Sequence, residues 1–100
     1  MIIKTYMVDI DNTICISNGS DYANSQPLAD RIARINELYD QGNKVIYWTA
    51  RGGNSGIDWT DKTHSQLAAW GCKYDEIRMG KPVYDIWVDD KAINSEEFFK

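Results

Sequence analysis

Asp9 and Asp11 stand two residues apart, directly after the apolar run Tyr6-Met7-Val8. Side chains alternate along a strand, so residues two apart point the same way. The two carboxylates therefore converge where the strand ends. Ionised carboxylates that close repel, and either a proton on one of them or a cation between them relieves the repulsion. A hard divalent ion with oxygen ligands, Mg²⁺ above all, suits such a site. A metal-bound carboxylate beside a proton-carrying one gives a nucleophile and an acid/base in one turn of chain. Taken alone, Asp9-Ile10-Asp11-Asn12-Thr13 also reads as a strand end with ordinary turn chemistry.

Three further places carry chemistry. Thr49-Ala50-Arg51 closes an apolar run and leads into Gly52-Gly53-Asn54-Ser55-Gly56. A hydroxyl and backbone N–H groups there can hold phosphate oxygens, and Arg51 can clamp an anion bidentately. The plain alternatives are a strand-end cap, a flexible connector and a solvated arginine. Lys81 stands between Gly80 and Pro82, and Asp89-Asp90 follow the run Val83 to Val88. A second carboxylate pair at a strand terminus has no structural rationale, since stability favours separating such charges.

The elements that must position these groups follow from pattern. Residues 2–8 read as a first strand, nearly all apolar at its end, as in a strand covered on both faces. Residues 14–26 read as an irregular, flap-like loop hanging over the carboxylates, with Tyr22 its candidate for touching substrate. Pro27 opens a helix. Leu28, Ile32, Ile35, Leu38 and Tyr39 form its apolar stripe, and Gly42 ends it as a left-handed cap. Val45 to Trp48 is a second strand. Strand, helix, strand predicts a right-handed parallel crossover, which sets Thr49 beside Asp9 at neighbouring carboxyl ends, where open α/β sheets bind ligands. Asp58 to Trp70 reads as a second helix capped by Asp58, with Thr63, Leu67 and Trp70 inward, His64 exposed and Gly71 at its end. Tyr74 to Ile77 is a short third strand. Val83 to Val88 is a fourth, near a sheet edge because Asp85 lies inside it. Ser95-Glu96-Glu97 begins a short last helix.

The chain has 100 residues, of which 43% are hydrophobic, so residues 1–100 form one small domain with a thin core. A net charge of −4 argues against binding a nucleic-acid backbone. It does not argue against a small phosphorylated substrate, because a bound Mg²⁺ reverses the local sign. Cys15 and Cys72 have no metal-ligand spacing and read as reduced thiols of a cytoplasmic protein. Neither a secretory signal nor a membrane-spanning run is expected.

The order Asp-Ile-Asp-Asn-Thr, Thr49, Lys81, Asp89-Asp90 resembles the haloacid dehalogenase superfamily of phosphotransferases. More narrowly, Tyr47-Trp48-Thr49-Ala50-Arg51-Gly52 and Ile86-Trp87-Val88-Asp89-Asp90-Lys91-Ala92 resemble small capless phosphatases linked to capsule-polysaccharide and sugar-phosphate biosynthesis. The resemblance implies a Rossmann-like α/β fold without a cap domain. Its minimal parallel sheet would run 3-2-1-4 with helices on both faces, and no fifth strand is evident. It implies Asp9 as nucleophile and Mg²⁺ ligand, and Asp11 as general acid/base with its carbonyl on the metal. Thr49 would bind the transferring phosphoryl group and Lys81 would neutralise charge and hold Asp9. Asp89 and Asp90 would share the metal, and Thr13, Ala50, Arg51 and Tyr22 would meet substrate. The implied reaction is Mg²⁺-dependent phosphomonoester hydrolysis through an aspartyl-phosphate, first on a sugar phosphate. A nucleotide 5′-phosphatase and a non-catalytic Mg²⁺- and phosphate-binding module are the alternatives. A signalling receiver is disfavoured because no Asp follows the third strand. Asn12 stands where glycine is commoner, and asparagine tolerates positive φ. An open site without a cap suits a large substrate or closure by a second subunit, so a homo-oligomer is an expectation too.

Overall fold

The structure is a computed structural model that describes residues 3–100. Ile2, assigned above to the first strand, lies outside the described residues. Three short segments form one parallel sheet: β1 (Thr5–Val8), β4 (Lys44–Trp48) and β5 (Glu76–Arg78), in the order β1-β4-β5. This matches the 3-2-1 part of the expected sheet. Tyr6 pairs in register with Val45, Val8 with Tyr47, and Trp48 with Arg78. The central strand β4 buries Val45, Ile46 and Tyr47, as a strand flanked on both sides should.

Helix α1 (Ala29–Asp40) buries Ile32, Ile35 and Leu38, while Tyr39 of the expected stripe stays exposed. Helix α2 (Thr60–Ala69) buries Thr63, Gln66 and Leu67, and His64 is exposed. Gly42 and Gly71 end the two helices at φ +94° and +73°, left-handed as their positions demand. The helical residues Ile32, Ile35, Leu38 and Leu67 join Val8, Val45 and Tyr47 in one core cluster. In the short helix α3 (Ser95–Phe98), Phe98 meets Tyr6 edge-on at 6.3 Å. Tyr6, Val8, Val45 and Tyr47 share one sheet face by alternation and register. The expected cover of helices on both faces is therefore corrected: the described helices pack on this face, while on the other Met7 of the edge strand is half-exposed and Ile46 of the central strand is buried. The cause is topological. Two crossovers of one hand that step the same way across a sheet lay both helices on the same side.

The expected fourth strand is also corrected. Val83 to Val88 is irregular, and Val88 is 92% exposed. A parallel strand there would require the chain to return to the opposite end of the sheet, a crossover of a dozen or more residues. Only Met79 to Pro82 separate β5 from Val83. Residues 14–26 are more regular than a flap. Strands β2 (Cys15–Ile16) and β3 (Gln26–Pro27) pair antiparallel and close the loop at its base, with a 3-10 turn at Tyr22–Asn24. Pro27 thus lies in β3, and Leu28 is the residue that caps α1.

Candidate functional site

The turn after β1 is anchored by Ile10 and Ile14, both fully buried. Both Thr13 N and Ile14 N donate to the Ile10 carbonyl, at 3.1 and 3.0 Å. Asn12 takes φ +60°, the conformation its short polar side chain tolerates. This turn presents Asp9 toward Lys81, whose Nζ lies 3.6 Å from Asp9 Oδ1. Thr13 Oγ1 donates to Asp9 Oδ2 at 3.2 Å. Burial pushes the Asp9 carboxyl above its ordinary value, against the opposing pull of Lys81.

Thr49 lies at the carboxyl end of β4 and is buried. Its hydroxyl accepts from Arg51 N at 3.2 Å, which leaves the O–H proton for a ligand. Lys81 N donates to the Thr49 carbonyl at 3.0 Å. That bond clips the lysine to the strand end, so a residue distant in sequence reaches Asp9.

Arg51 does not face open solvent, as a substrate clamp would. Its side chain is fully buried and forks onto Asp11, with Nε to Oδ2 at 2.9 Å and Nη2 to Oδ1 at 2.8 Å. Nη1 donates to Gln66 Oε1 at 2.6 Å and to Thr63 Oγ1 at 3.2 Å. The guanidinium also lies 4.8 Å from the Tyr22 ring centre. Ser17 Oγ donates to Asp11 Oδ1 at 2.6 Å and shares a bond with Ser25 Oγ, while Gln66 Nε2 donates to the Tyr22 carbonyl. The loop over the site is thus tied down through Asp11, Arg51 and Gln66. Asp11 Oδ2 accepts a bond from Arg51 alone and keeps a lone pair free.

Asp9, Asp11, Tyr22, Thr49, Arg51 and Lys81 line one open cavity of about 260 Å³. Ala50 lines it too, but Thr13 does not, because its hydroxyl is turned to Asp9. Asp89 and Asp90 are exposed and outside the lining. Asp89 instead accepts from Lys91 N and from Trp87 Nε1. Without the fourth strand nothing carries this pair to β1, and their expected place on a shared metal is corrected. Tyr84, Val83 and Pro82 of the lining were not singled out from sequence. Nor were Ser17 and Gln66, whose roles depend on partners far along the chain. The polar Gln66 on the inner face of α2 was the available signal.

Among the described residues no three acidic, histidine or cysteine side chains gather as a metal cage. The full carboxylate set does not fit Mg²⁺. Asp9 fits a looser arrangement, since Mg²⁺ keeps several waters and takes one or two carboxylates plus substrate phosphate.

No family model matches the chain, and no curated protein matches it. A crystal structure of a structural-genomics target from Vibrio cholerae superposes with a TM-score of 0.84 at 30% identity, covering 97% of this chain and 88% of that one. No helix among the described residues is long and apolar enough to cross a membrane. The chain therefore belongs to one family with that Vibrio cholerae protein, as a small α/β domain built on a three-stranded parallel sheet.

Proposed function

We propose that this cavity hydrolyses phosphomonoesters of small metabolites through an aspartyl-phosphate on Asp9, as a capless phosphatase of the haloacid dehalogenase type. The observation that carries the reading is the meeting of Asp9, Lys81 and Thr49 in one cavity, with Lys81 Nζ 3.6 Å from the carboxylate. Phosphoryl transfer depends on in-line positioning and neutralised oxygens more than on strong bases. Asp9 Oδ attacks phosphorus as the bond to the leaving oxygen breaks. Lys81 and the Thr49 hydroxyl hold the phosphoryl oxygens. Asp11 gives the departing alkoxide a proton taken up on the Oδ2 lone pair that Arg51 leaves free. Returned to a carboxylate, it takes one from the water that attacks the aspartyl-phosphate. Arg51 fixes the Asp11 carboxylate in its plane. Mg²⁺, held by Asp9 and substrate phosphate, would supply further charge neutralisation. The free thiols Cys15 and Cys72 suit a cytoplasmic setting.

One observation favours the second reading, a phosphate-binding module without turnover. Both Asp11 oxygens are engaged by Arg51. Hydrolysis of an aryl phosphate by the wild type, with and without Mg²⁺, decides between the two. Turnover lost by at least about 10³-fold in Asp9→Asn, and by about 10²-fold in Lys81→Ala, supports the phosphatase. A wild type that binds phosphate without turnover supports the module.

A further inference from the structure

We infer that the group esterified to the phosphate is a nucleoside, whose base stacks on an aromatic shelf made by Tyr84 and Trp87. This rests on the phosphatase reading for its chemistry and on separate residues for its geometry. Beyond the phosphate-handling floor, the cavity lining includes Asn12, Gly19, Pro82, Val83 and Tyr84, and Trp87 stands just outside it against Tyr84. Trp87 lies 5.0 Å from the Tyr84 ring at 58°, and Trp48 meets Trp87 edge-on at 6.1 Å. Trp87 Nε1 donates to Asp89 Oδ2 at 3.2 Å, which fixes the indole. Asp89 thus gains a use although it lies outside the cavity. Tyr84 and Trp87 are 45% and 40% exposed.

The shelf begins where the phosphate site ends. The same Lys81 Nζ that stands 3.6 Å from Asp9 lies 5.2 Å from the Tyr84 ring centre and 5.8 Å from that of Trp87. Across the cavity, Tyr22 stacks under the Arg51 guanidinium and meets Trp59 edge-on at 5.0 Å. A substrate anchored by its phosphate beside Lys81 therefore runs out along the aromatic shelf. A planar base gains from any exposed ring face, whatever its hydrogen-bonding edge. A pyranose has no π-face and can lay only its C–H groups on the same rings, its hydroxyls turned to the rim, so a planar base gains more from them. The rings thus favour a base over the sugar phosphate that the sequence resemblance suggested, and sugar phosphates are its direct competitors.

The test compares kcat/KM for nucleoside 5′-monophosphates with that for ribose 5-phosphate, which has the same ester and sugar but no base, and for glucose 6-phosphate. Base stacking on an aromatic side chain is worth roughly 5- to 150-fold, so a preference of about tenfold or more is expected. That ratio falls toward one in Tyr84→Ala and Trp87→Ala and survives in Tyr84→Phe and Trp87→Phe. Ribose 5-phosphate or glucose 6-phosphate used as well as the nucleotides overturns the inference, as does a ratio untouched by the alanine variants. Tryptophan fluorescence of Asp9→Asn, titrated with a nucleoside monophosphate and with ribose 5-phosphate, separates the two claims. Quenching by the nucleotide alone, in a protein whose wild type turns over nothing, leaves the shelf standing and removes the phosphatase. Turnover without base preference does the reverse, and neither quenching nor turnover removes both.

Discussion

Replacing Arg51 by methionine tests the buried pair that holds the site together. The side chain of Arg51 is fully buried and that of Asp11 only 19% exposed, with two bonds of 2.8 and 2.9 Å between them. Removing one partner of a buried ion pair costs about 3–5 kcal/mol, because the other charge stays behind without compensation. Gln66 Oε1 and Thr63 Oγ1 also lose a donor. The residual exposure of Asp11 lets water recover part of the loss, so we take the lower end, about 3 kcal/mol. At roughly 4–8 °C per kcal/mol for a domain of this size, the melting temperature drops by about 12–24 °C. Arg51→Lys keeps the charge but not the fork, and recovers only part of this. Adding Asp11→Asn to Arg51→Met removes the stranded charge, so the double variant is more stable than Arg51→Met alone. Urea melts of the wild type, Arg51→Met, Asp11→Asn and the double variant close a double-mutant cycle. A single Arg51→Met variant within about 0.5 kcal/mol of wild type, or strictly additive effects, would refute the argument.

Burial raises the folded-state pKa of Asp9 above its unfolded value, so ionising it works against folding. Its contribution is fully favourable below the unfolded pKa and is lost as pH rises through the folded one. Asp9→Asn should therefore raise the melting temperature at pH 7, with the gain vanishing in acid; thermal melts across pH check the sign. Gly52 takes φ +83°, and a Cβ there would strike the Ile57 carbonyl, so Gly52→Ala should destabilise by more than about 1 kcal/mol in a urea melt. Burial pushes the Cys72 thiol up to about 11 and raises Cys15 as well. Both should react slowly with a disulfide reagent at pH 8 in the folded protein and fast in denaturant.

Local signals gave away the parts of the fold that local physics decides. The apolar runs before Asp9 and Thr49 became β1 and β4, and Gly42, Gly71 and Asn12 took the left-handed angles their positions require. The failures came where the outcome depended on the path of the chain. Val83 to Val88 has strand composition, but the short link from β5 cannot carry it back across the sheet. Without that strand, Asp89 and Asp90 have no route to Asp9. Arg51 reads as a substrate clamp from spacing alone, because its partner Asp11 lies forty residues earlier. The proximity of Asp9, Lys81 and Thr49 was legible, since strand ends of a parallel sheet converge on one rim.

The direct test of the central claim is to look for phosphate on Asp9 itself. The wild type is mixed with a phosphomonoester that it turns over, quenched in acid within the first turnovers, and digested for peptide mass spectrometry. A hydroxylamine-sensitive phosphate on the peptide carrying Asp9, absent from Asp9→Asn, is the result expected of a carboxylate nucleophile. Turnover that proceeds with no phosphate on that peptide, or that persists in Asp9→Asn, would contradict it.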